Sequence, residues 1–223
     1  MNVPLVLSFD LDDTLWPVEP LMLAAEAEMQ AWIKERHPEI MRGHDRESLR
    51  VLRAALAERF PERAHDMTFL RHRMLSQLFA TAGKPETLAD EAFEVFFAAR
   101  NRVSLYEEVE AALKRLSSRY RLFALSNGNA DLRRCGISQW FAGHVTAISA
   151  GAPKPDIRIF SRLIAEARVE AHQILHVGDD PQLDVVGAMQ AGLQAAWLNR
   201  NAKAWPAHLP APPRTILSLA EIV

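Results

Sequence analysis

Residues Val3 to Trp16 read V-P-L-V-L-S-F-D-L-D-D-T-L-W, and this stretch decides the fold. It begins as a nearly continuous apolar run, which is typical of a strand buried on both faces of a parallel sheet. Asp10, Asp12 and Asp13 follow where that strand should end. Carboxylates held together raise their pKa values and oppose folding, so we expect a cation, a phosphate-binding reaction or both to compensate them. A polar turn in which one Asp caps a helix is the simpler alternative.

Length and composition limit the classes to which the protein can belong. The chain has 223 residues, of which 49% are hydrophobic and 24% are charged, so it should fold as one large domain or as a core with an insertion. Its net charge of -2 gives no basic field for nucleic acid or an anionic membrane. A small anionic substrate would therefore need a local positive site, and we expect no obligate protein partner.

The cysteine content and the N-terminus favour a cytoplasmic protein. The single cysteine, Cys135, excludes an internal disulfide and a Cys-rich zinc site. We expect it to pack in or near a helix rather than act as a nucleophile. The first residues lack the basic and apolar segments of a signal peptide. No segment reaches the roughly 18 apolar residues that span a bilayer.

Residues 17–100 have helical rather than strand patterns. Four helices are expected, over residues 21–36, after Asp45 as far as Pro61, over residues 67–82, and from a Thr87 cap to Arg100. Because they lie between one strand and the next, they predict an inserted all-helical cap domain over residues 17–100.

Strands and helices alternate in the rest of the chain. Strands are expected at residues 120–125, 144–149, 173–177, 195–198 and 216–217. Helices are expected at residues 106–119, from about residue 130 toward Cys135, after Pro155, and at residues 185–191. This alternation predicts an α/β fold with a Rossmann-like, doubly wound parallel sheet, built from residues 1–16 and 101–223.

Polar residues stand at the carboxyl ends of the predicted strands. Asp10, Ser126 and Asp179 each follow an apolar strand, and Lys154 lies in the loop after another. In open α/β sheets, ligands bind beyond these strand ends. Short motifs such as Lys-Pro or Ser-Asn-Gly are each common in ordinary turns. The ordered set of four positions is what predicts a shared site.

These residue types suit the cleavage of a phosphate ester, which needs an in-line nucleophile, cations and a proton for the leaving group. Asp10 can attack phosphorus and form an aspartyl-phosphate. Asp12 can protonate the leaving alcohol and later deprotonate water. Asp179, with Asp10 and a backbone carbonyl, offers the oxygen ligands that suit Mg²⁺.

The phosphate oxygens also need hydrogen-bond donors and a positive charge. The Ser126 hydroxyl and the backbone N–H groups near Asn127 can donate to its oxygens. Lys154 supplies a compact positive charge for phosphate and nucleophile. We expect Thr14 to orient the turn that follows Asp10.

The motifs D-L-D-D-T-L from Asp10, Ser126 after a strand, Lys154 before Pro155, and Gly178-Asp179 with Asp184 resemble those of the haloacid dehalogenase superfamily. The resemblance covers essentially the whole chain, including the helical cap. It implies that Asp10 is the nucleophile, that Asp12 is the acid/base, and that Ser126 and Lys154 bind phosphate. It also implies Mg²⁺ ligands and a supporting carboxylate. These are Asp10, Asp12 through its carbonyl and Asp179, with Asp184 in support.

Within the superfamily, the dehalogenase branch lacks an acid at the position of Asp12, so its presence favours phosphoryl chemistry. The chain is more closely similar to bacterial flavin-pathway phosphatases, which act on 5-amino-6-(5-phospho-D-ribitylamino)uracil and flavin mononucleotide. That similarity implies a role in riboflavin biosynthesis. The matching segments are residues 126–130, 176–180, 184–188, and 65–68 leading to Arg71 and Arg73.

Three side chains in or beside the cap are candidate substrate contacts. Trp16 could stack on a substrate ring, although a Trp at a domain junction more often packs. Arg71 and Arg73 could hold a second anionic or polar group, although a charged run on a helix is usually a solvated face. Histidines 65, 72 and 176 are not expected to bind metal, because none has a ligand-like spacing.

Three functions remain open from the sequence. The first is a Mg²⁺-dependent phosphatase of a small phosphorylated metabolite. The second is a phosphomutase of the same fold, which activation by a bisphosphate would reveal. The third is a non-catalytic binding protein that retains the fold, which a phosphatase assay with and without Mg²⁺ would separate from the other two.

Overall fold

The computed structural model describes residues 3–222, which divide into two compact units. The first unit contains the residues up to Pro17, Ser104–Gly128 and those from Cys135 onward. The second contains Val18–Val103 together with Asn129–Arg134. The short segment at residues 129–134 therefore packs with the helical unit, although it lies between strands of the other unit in the sequence.

The first unit is built on a parallel sheet, as the sequence predicts. Its strands are β1 (Val6–Phe9), β2 (Arg121–Ser126), β3 (Gly143–Thr146), β4 (Ile174–Gly178), β5 (Gln194–Leu198) and β6 (Thr215–Ile216). They pair in the order β3-β2-β1-β4-β5-β6, and every pair is parallel. β1 therefore lies between β2 and β4, at the point where the order reverses. All of its residues are buried, which explains its apolar run.

The helices that flank this sheet are α5 (Val109–Ser117), α6 (Ala147–Ala150), α7 (Ile157–Ala167) and α8 (Gly187–Gln190). Alternate residues of the strands, such as Val6, Phe123 and Ile174, pack against Ile159 and Leu163 of α7 in one apolar cluster. The fold class predicted from the sequence is confirmed.

Some predicted boundaries in this unit are wrong. The strand expected at 144–149 ends at Thr146, because the Thr146 side chain accepts the Ser149 N–H and caps α6. The helix expected at 106–119 is the shorter α5. The helix expected at 185–191 is divided into a π-helical turn, Pro181–Val186, and α8.

The second unit consists mainly of α1 (Val18–Arg36), α2 (Arg46–Arg59), α3 (Met67–Thr81) and α4 (Thr87–Arg100). Their apolar faces form a separate core, which includes Met29, Ile33, Met74, Phe79 and Phe96. Asp45 and Asp66 cap α2 and α3 by accepting backbone N–H groups.

Two predictions in this unit are wrong. Thr87 does not cap α4, because the Leu88 N–H already bonds to the Pro85 carbonyl and the helical turn starts earlier. No helix forms at residues 130–135. There the Asp131 side chain accepts the N–H groups of Arg133 and Arg134, but the turn that it begins ends at Gly136, whose φ is 73°.

None of the helices found in the described residues combines the length and the apolar character needed to cross a membrane.

Candidate active site

Asp10 follows β1 at the carboxyl edge of the sheet. Its backbone N–H donates to the Val177 carbonyl of β4 at 2.9 Å, which continues the ladder one residue beyond the strand. The chain then turns sharply, and the Asp13 N–H donates to the Trp16 carbonyl at 2.8 Å. Asp13 has a left-handed φ of 59°, which Asp tolerates better than most residues. The turn keeps the carboxylates of this motif at the end of the central strand.

Lys154 lies between two buried carboxylates. Its Nζ donates to Oδ1 of Asp10 at 2.5 Å and to Oδ1 of Asp184 at 2.6 Å. The Lys154 side chain is only 2% exposed. A buried charge is tolerated when it is paired and hydrogen-bonded, and these two carboxylates raise the pKa of Lys154 despite its burial. Three distant segments of the chain are thus joined by one cation.

Asp184 is the most fully bonded carboxylate of the group. Besides Lys154, it accepts from the His176 ring at 3.2 Å and from the Asp180 N–H at 3.0 Å. Burial opposes ionisation, but Lys154 and His176 outweigh it and hold the pKa of Asp184 below its ordinary value. A Cβ on Gly178 would lie 2.2 Å from Cγ of Asp184. Only glycine at that position lets Asp184 reach the lysine.

A buried polar pair contacts Asp184 through His176, which was expected to be a satisfied core residue, and its other member, Ser8, was missed. Ser8 and His176 are register partners on β1 and β4, and the Ser8 Oγ lies 2.9 Å from Nδ1 of His176. Burial lowers the pKa of His176, so the ring is neutral at pH 7. It can then donate from Nε2 to Asp184 while Nδ1 accepts the Ser8 hydroxyl. A polar residue in each of two paired central strands was the signal in the sequence.

Asp10 carries the opposite pKa shift. Burial raises its pKa well above the ordinary value, and the nearby Asp184 adds to the rise, whereas Lys154 opposes it. Ionised Asp10 is therefore costly in the absence of a further cation.

Asp179 lies with these carboxylates and is only partly buried. Burial, then Asp184 and Asp13, raise the pKa of Asp179 to about 7. The Thr14 hydroxyl donates to its Oδ1 at 3.4 Å, and the Trp197 indole donates to its carbonyl at 2.8 Å. Thr14 thus links the turn after β1 to the end of β4, beyond the role expected for it in its own turn.

Three of these acidic groups can approach one ion. One carboxylate oxygen from each of Asp10, Asp179 and Asp184 lies within 4.8 Å of the others. An all-oxygen donor set at this spacing fits a hard divalent cation such as Mg²⁺. The set includes Asp184 rather than the Asp12 side chain. Both Asp184 oxygens already accept hydrogen bonds, which suits the supporting role expected for it.

Asp12 and Trp16 form a hydrogen-bonded pair, and Trp16 is packed, which was the interpretation favoured over substrate stacking. The Trp16 indole N–H donates to Oδ1 of Asp12 at 2.8 Å, and Trp16 is 0% exposed. The Trp16 ring is therefore not available to stack on a substrate in this structure. Its indole instead holds one carboxylate oxygen of Asp12.

We expect Trp16→Phe to lower kcat by about 10-fold with little change in KM, because a hydrogen bond to a charged group contributes roughly 1.5–3 kcal/mol. The Phe ring keeps most of the packing, so the melting temperature should change by only a few degrees. Steady-state kinetics and thermal unfolding of the same preparation check this. A kcat equal to that of the wild type would show that the indole does not position Asp12.

Ser126 and Asn127 follow β2 at the same edge of the sheet. The buried Ser126 Oγ accepts the Gly128 N–H at 2.9 Å, which leaves its O–H free to donate. The Asn127 side chain accepts the Lys154 N–H at 2.6 Å and donates to the Lys154 carbonyl at 3.0 Å. The Asn127 side chain thus fixes the lysine loop, and only its backbone N–H remains for the phosphate-binding role predicted from the sequence.

Arg200 is another positioning group that the sequence analysis missed. It follows β5 and donates to the Thr14 carbonyl at 2.9 Å. It also pairs with Glu108 at 2.7 Å and lies 4.0 Å from the Tyr106 ring centre. Its place just after a strand was the available signal. Arg200 stabilises the turn that carries Asp12.

The two candidate arginines of α3 differ from each other. Arg71 and Arg73 both lie on α3, but Arg71 is buried with 5% exposure, whereas Arg73 is exposed. Arg71 bonds to Glu26 of α1, and Arg73 lies 6.0 Å from the Phe60 ring centre. His72 bonds to Asp90 at 2.5 Å within the same unit.

A family model described as haloacid dehalogenase-like hydrolase matches residues 5–192. The chain belongs to this family. The resemblance noted in the sequence is thus confirmed, and so is the expectation of an enzyme.

Relatives of the chain within the haloacid dehalogenase-like hydrolases include phosphatases. The 5-amino-6-(5-phospho-D-ribitylamino)uracil phosphatase YigB of Escherichia coli K12 is 34% identical over 196 residues, covering 86% of this chain and 82% of that protein. The phosphoserine phosphatase of Thermus thermophilus is 34% identical over 139 residues, covering 60% and 56%. These relatives support a phosphoric monoester hydrolase, as the sequence predicts.

A crystal structure from the same family has a closely similar fold. It is described as a 2-haloacid dehalogenase from Pseudomonas syringae pv. Tomato DC3000 and is 37% identical, with a TM-score of 0.92. The alignment covers 98% of this chain and 96% of that chain.

Proposed function

We propose that this protein is a Mg²⁺-dependent phosphatase that hydrolyses a small phosphorylated metabolite through an aspartyl-phosphate on Asp10. The observation that carries the proposal is the placement of Asp10 beside Lys154, with the Asp179 and Asp184 oxygens within reach of the same ion. This arrangement supplies both the nucleophile and the positive charge that an attack by an anion on a phosphate requires.

The Mg²⁺ would be held by Asp10, Asp179 and the Asp12 carbonyl, with Asp184 in support. When bound, it would offset charge on the phosphoryl oxygens. Ser126, Lys154 and the Asn127 N–H would hold the phosphate. These groups orient the phosphorus toward the free oxygen of Asp10.

The reaction proceeds in two displacements. Asp10 forms a bond to phosphorus as the ester P–O bond breaks, and Asp12 gives its proton to the leaving alcohol. Asp12 then takes a proton from water, whose oxygen attacks the same phosphorus. The P–O bond to Asp10 breaks, which releases inorganic phosphate and restores the carboxylate.

The relatives guide the choice of substrate. YigB of E. coli is named for its action on 5-amino-6-(5-phospho-D-ribitylamino)uracil. We therefore propose a flavin-pathway ester, either this compound or flavin mononucleotide, as the first substrate to test. The helices of residues 17–100 would act as a cap that confers specificity.

A dehalogenase activity is the second candidate, because the P. syringae structure is 37% identical. An Asp nucleophile could also displace halide from carbon. However, halide leaves without a proton, so such a reaction has no use for an acid at Asp12. The Trp16 contact that orients Asp12 therefore favours phosphate esters.

The proposal is tested by measuring phosphate release from the flavin-pathway esters, with Mg²⁺ or with EDTA. The same assay is repeated with the Asp12→Ala variant. Halide release from 2-chloropropionate is measured for comparison. We expect EDTA to abolish release and Asp12→Ala to lower kcat by roughly 10²- to 10⁴-fold while phosphate still binds. Release that is unaffected by EDTA would contradict the metal requirement. Halide release faster than phosphate release would favour the dehalogenase, and activation by a bisphosphate would favour a mutase.

A further inference from the structure

Three arginines in the helical unit share one carboxylate. Arg53 and Arg71 contact Oε1 of Glu26 at 3.2 Å and 3.3 Å, and Arg46 contacts its Oε2 at 3.4 Å. Charge-assisted bonds between guanidinium and carboxylate usually measure about 2.7–2.9 Å. All three contacts are longer, and one glutamate leaves the group with a net positive charge.

Arg71 is the least satisfied member of this cluster. It is 5% exposed, and its Nη1 finds no acceptor within residues 3–222. A desolvated N–H group without a partner is costly. Burial and the neighbouring Arg53 lower the pKa of Arg71 to about 9, against the opposing effect of Glu26. The site disfavours the charge that Arg71 carries at pH 7.

An aromatic ring holds the guanidinium in place. The Arg71 Cζ lies 3.6 Å from the Phe96 ring centre, a distance at which a cation stacks on the ring face. Stacking accounts for the orientation of the group. However, it does not satisfy N–H groups that lie in the guanidinium plane, so a structural anchor leaves Nη1 unexplained.

The cluster extends from the protein surface to the interior. The exposed fraction of the side chain falls from 64% at Arg46 to 23% at Arg53 and 6% at Arg71. An anion that enters past the more exposed outer arginines would reach a group already fixed in orientation.

We propose that Arg71 and Arg53 form a binding site for an oxyanion, a carboxylate or phosphate group, within the helical unit. The planar guanidinium of Arg71 offers the paired N–H groups that bind such anions in a bidentate manner. The anion is either a second acidic group of the substrate or a free ion. In the first case the inference rests on the proposed function and defines the substrate as a phosphate monoester with a second acidic group.

Binding is tested first, without turnover. Inorganic phosphate is titrated into the ¹⁵N-labelled, Mg²⁺-free full chain, and the arginine Nε–H resonances are followed by NMR. The Arg71 resonance, identified by its loss in Arg71→Gln, is expected to shift and saturate. Arg73→Gln, two residues along the same helix and exposed, should leave that shift unchanged. An Arg71 resonance that stays fixed throughout the titration would overturn the proposal.

Kinetics then identify the source of the anion. 3-Phosphoglycerate carries a carboxylate at the position where glycerol 3-phosphate carries a hydroxymethyl group, and the two esters are otherwise the same. If the substrate supplies the anion, Arg71→Gln should lower kcat/KM for the first by about 10- to 100-fold and change the second less than about 3-fold. If a free ion binds, added sulfate should change glycerol 3-phosphate turnover differently in the wild type and in Arg71→Gln, because only its competition at the phosphate position beside Asp10 is common to both.

The binding test does not depend on the folding of Arg71→Gln or on turnover. If Arg71→Gln does not fold, Arg53→Gln, which changes a more exposed side chain, should weaken the phosphate-induced shift at Arg71. An unchanged shift in that variant would overturn the shared site. If neither ester is hydrolysed, the NMR titration still decides the anion site, so failure of the phosphatase and failure of the anion site remain distinguishable.

Discussion

Replacing Asp10 with Asn is expected to lower kcat for phosphate release by about 10⁴-fold or more, the scale seen when a nucleophile is removed. Asn is nearly the same size but cannot form an acyl phosphate. Acid-quenched wild-type protein should carry a hydroxylamine-sensitive phosphate, and the variant should not. Glu110→Gln, an exposed acid on α5, is the matched control for the change in charge and should keep full activity.

The same substitution should not unfold the protein. Burial raises the pKa of Asp10 in the folded state. A carboxyl with a raised folded pKa binds its proton more tightly when folded, so its ionisation lowers stability as the pH rises from the unfolded pKa through the folded one. Asn removes this penalty, and the melting temperature of the Mg²⁺-free variant at pH 7 should hold or rise. A variant that retains more than about 1% of kcat would contradict the role of Asp10.

Replacing Lys154 with Met is expected to destabilise the Mg²⁺-free protein by about 3–5 kcal/mol, because breaking a buried ion pair leaves uncompensated charge. Lys154 is hydrogen-bonded to both Asp10 and Asp184, and its side chain is 2% exposed. Met occupies a similar volume, so a cavity contributes little. Urea denaturation in EDTA measures the loss, and turnover should fall with it because the phosphate loses a cation.

Two control variants separate the effect of the Lys154 charge on stability from the effect of its side-chain packing. Lys114→Met on the exposed side of α5 should change stability by less than about 0.5 kcal/mol. In the double variant Asp10→Asn with Lys154→Met, only Asp184 is left without its cation, so the loss should be smaller than for Lys154→Met alone. Equal losses would show that Asp10 and Lys154 are not energetically coupled.

The stability of Lys154→Met relative to the wild type should change with pH in one direction. Without the cation, the folded pKa of Asp10 rises further above its unfolded value. The folded pKa of Asp184, which Lys154 helps to hold below its ordinary value, rises as well. Protonation then favours the folded state, so the variant should regain stability relative to the wild type as the pH falls from 7 toward 5. The same urea titrations at several pH values measure this trend.

Much of the architecture was predictable because the signals are local. The apolar run of β1 and the alternation of strands with helices specify a buried parallel sheet, whatever the distant contacts are. The sheet geometry alone then brings the residues after β1, β2 and β4 to one edge. Loop details such as residues 130–135 were missed, because the weak helical pattern does not show that the turn after Asp131 ends at Gly136.

The roles of individual side chains depended on packing across elements. Nothing local to Asn127 indicates that its side chain holds the Lys154 backbone, 27 residues further along the chain. Likewise, the bond between Ser8 and His176 exists only because β1 and β4 pair in one register.

By itself, the sequence determined that Asp10, Ser126 and Asp179 lie at the carboxyl edge of a parallel sheet, since strand periodicity and chain order are local properties. Only the tertiary structure decided which partners each buried polar group has. It joined Lys154 to Asp184 and enclosed Arg71 with Glu26 and Phe96. Burial increases the contribution of each such contact to stability, and burial depends on the whole fold.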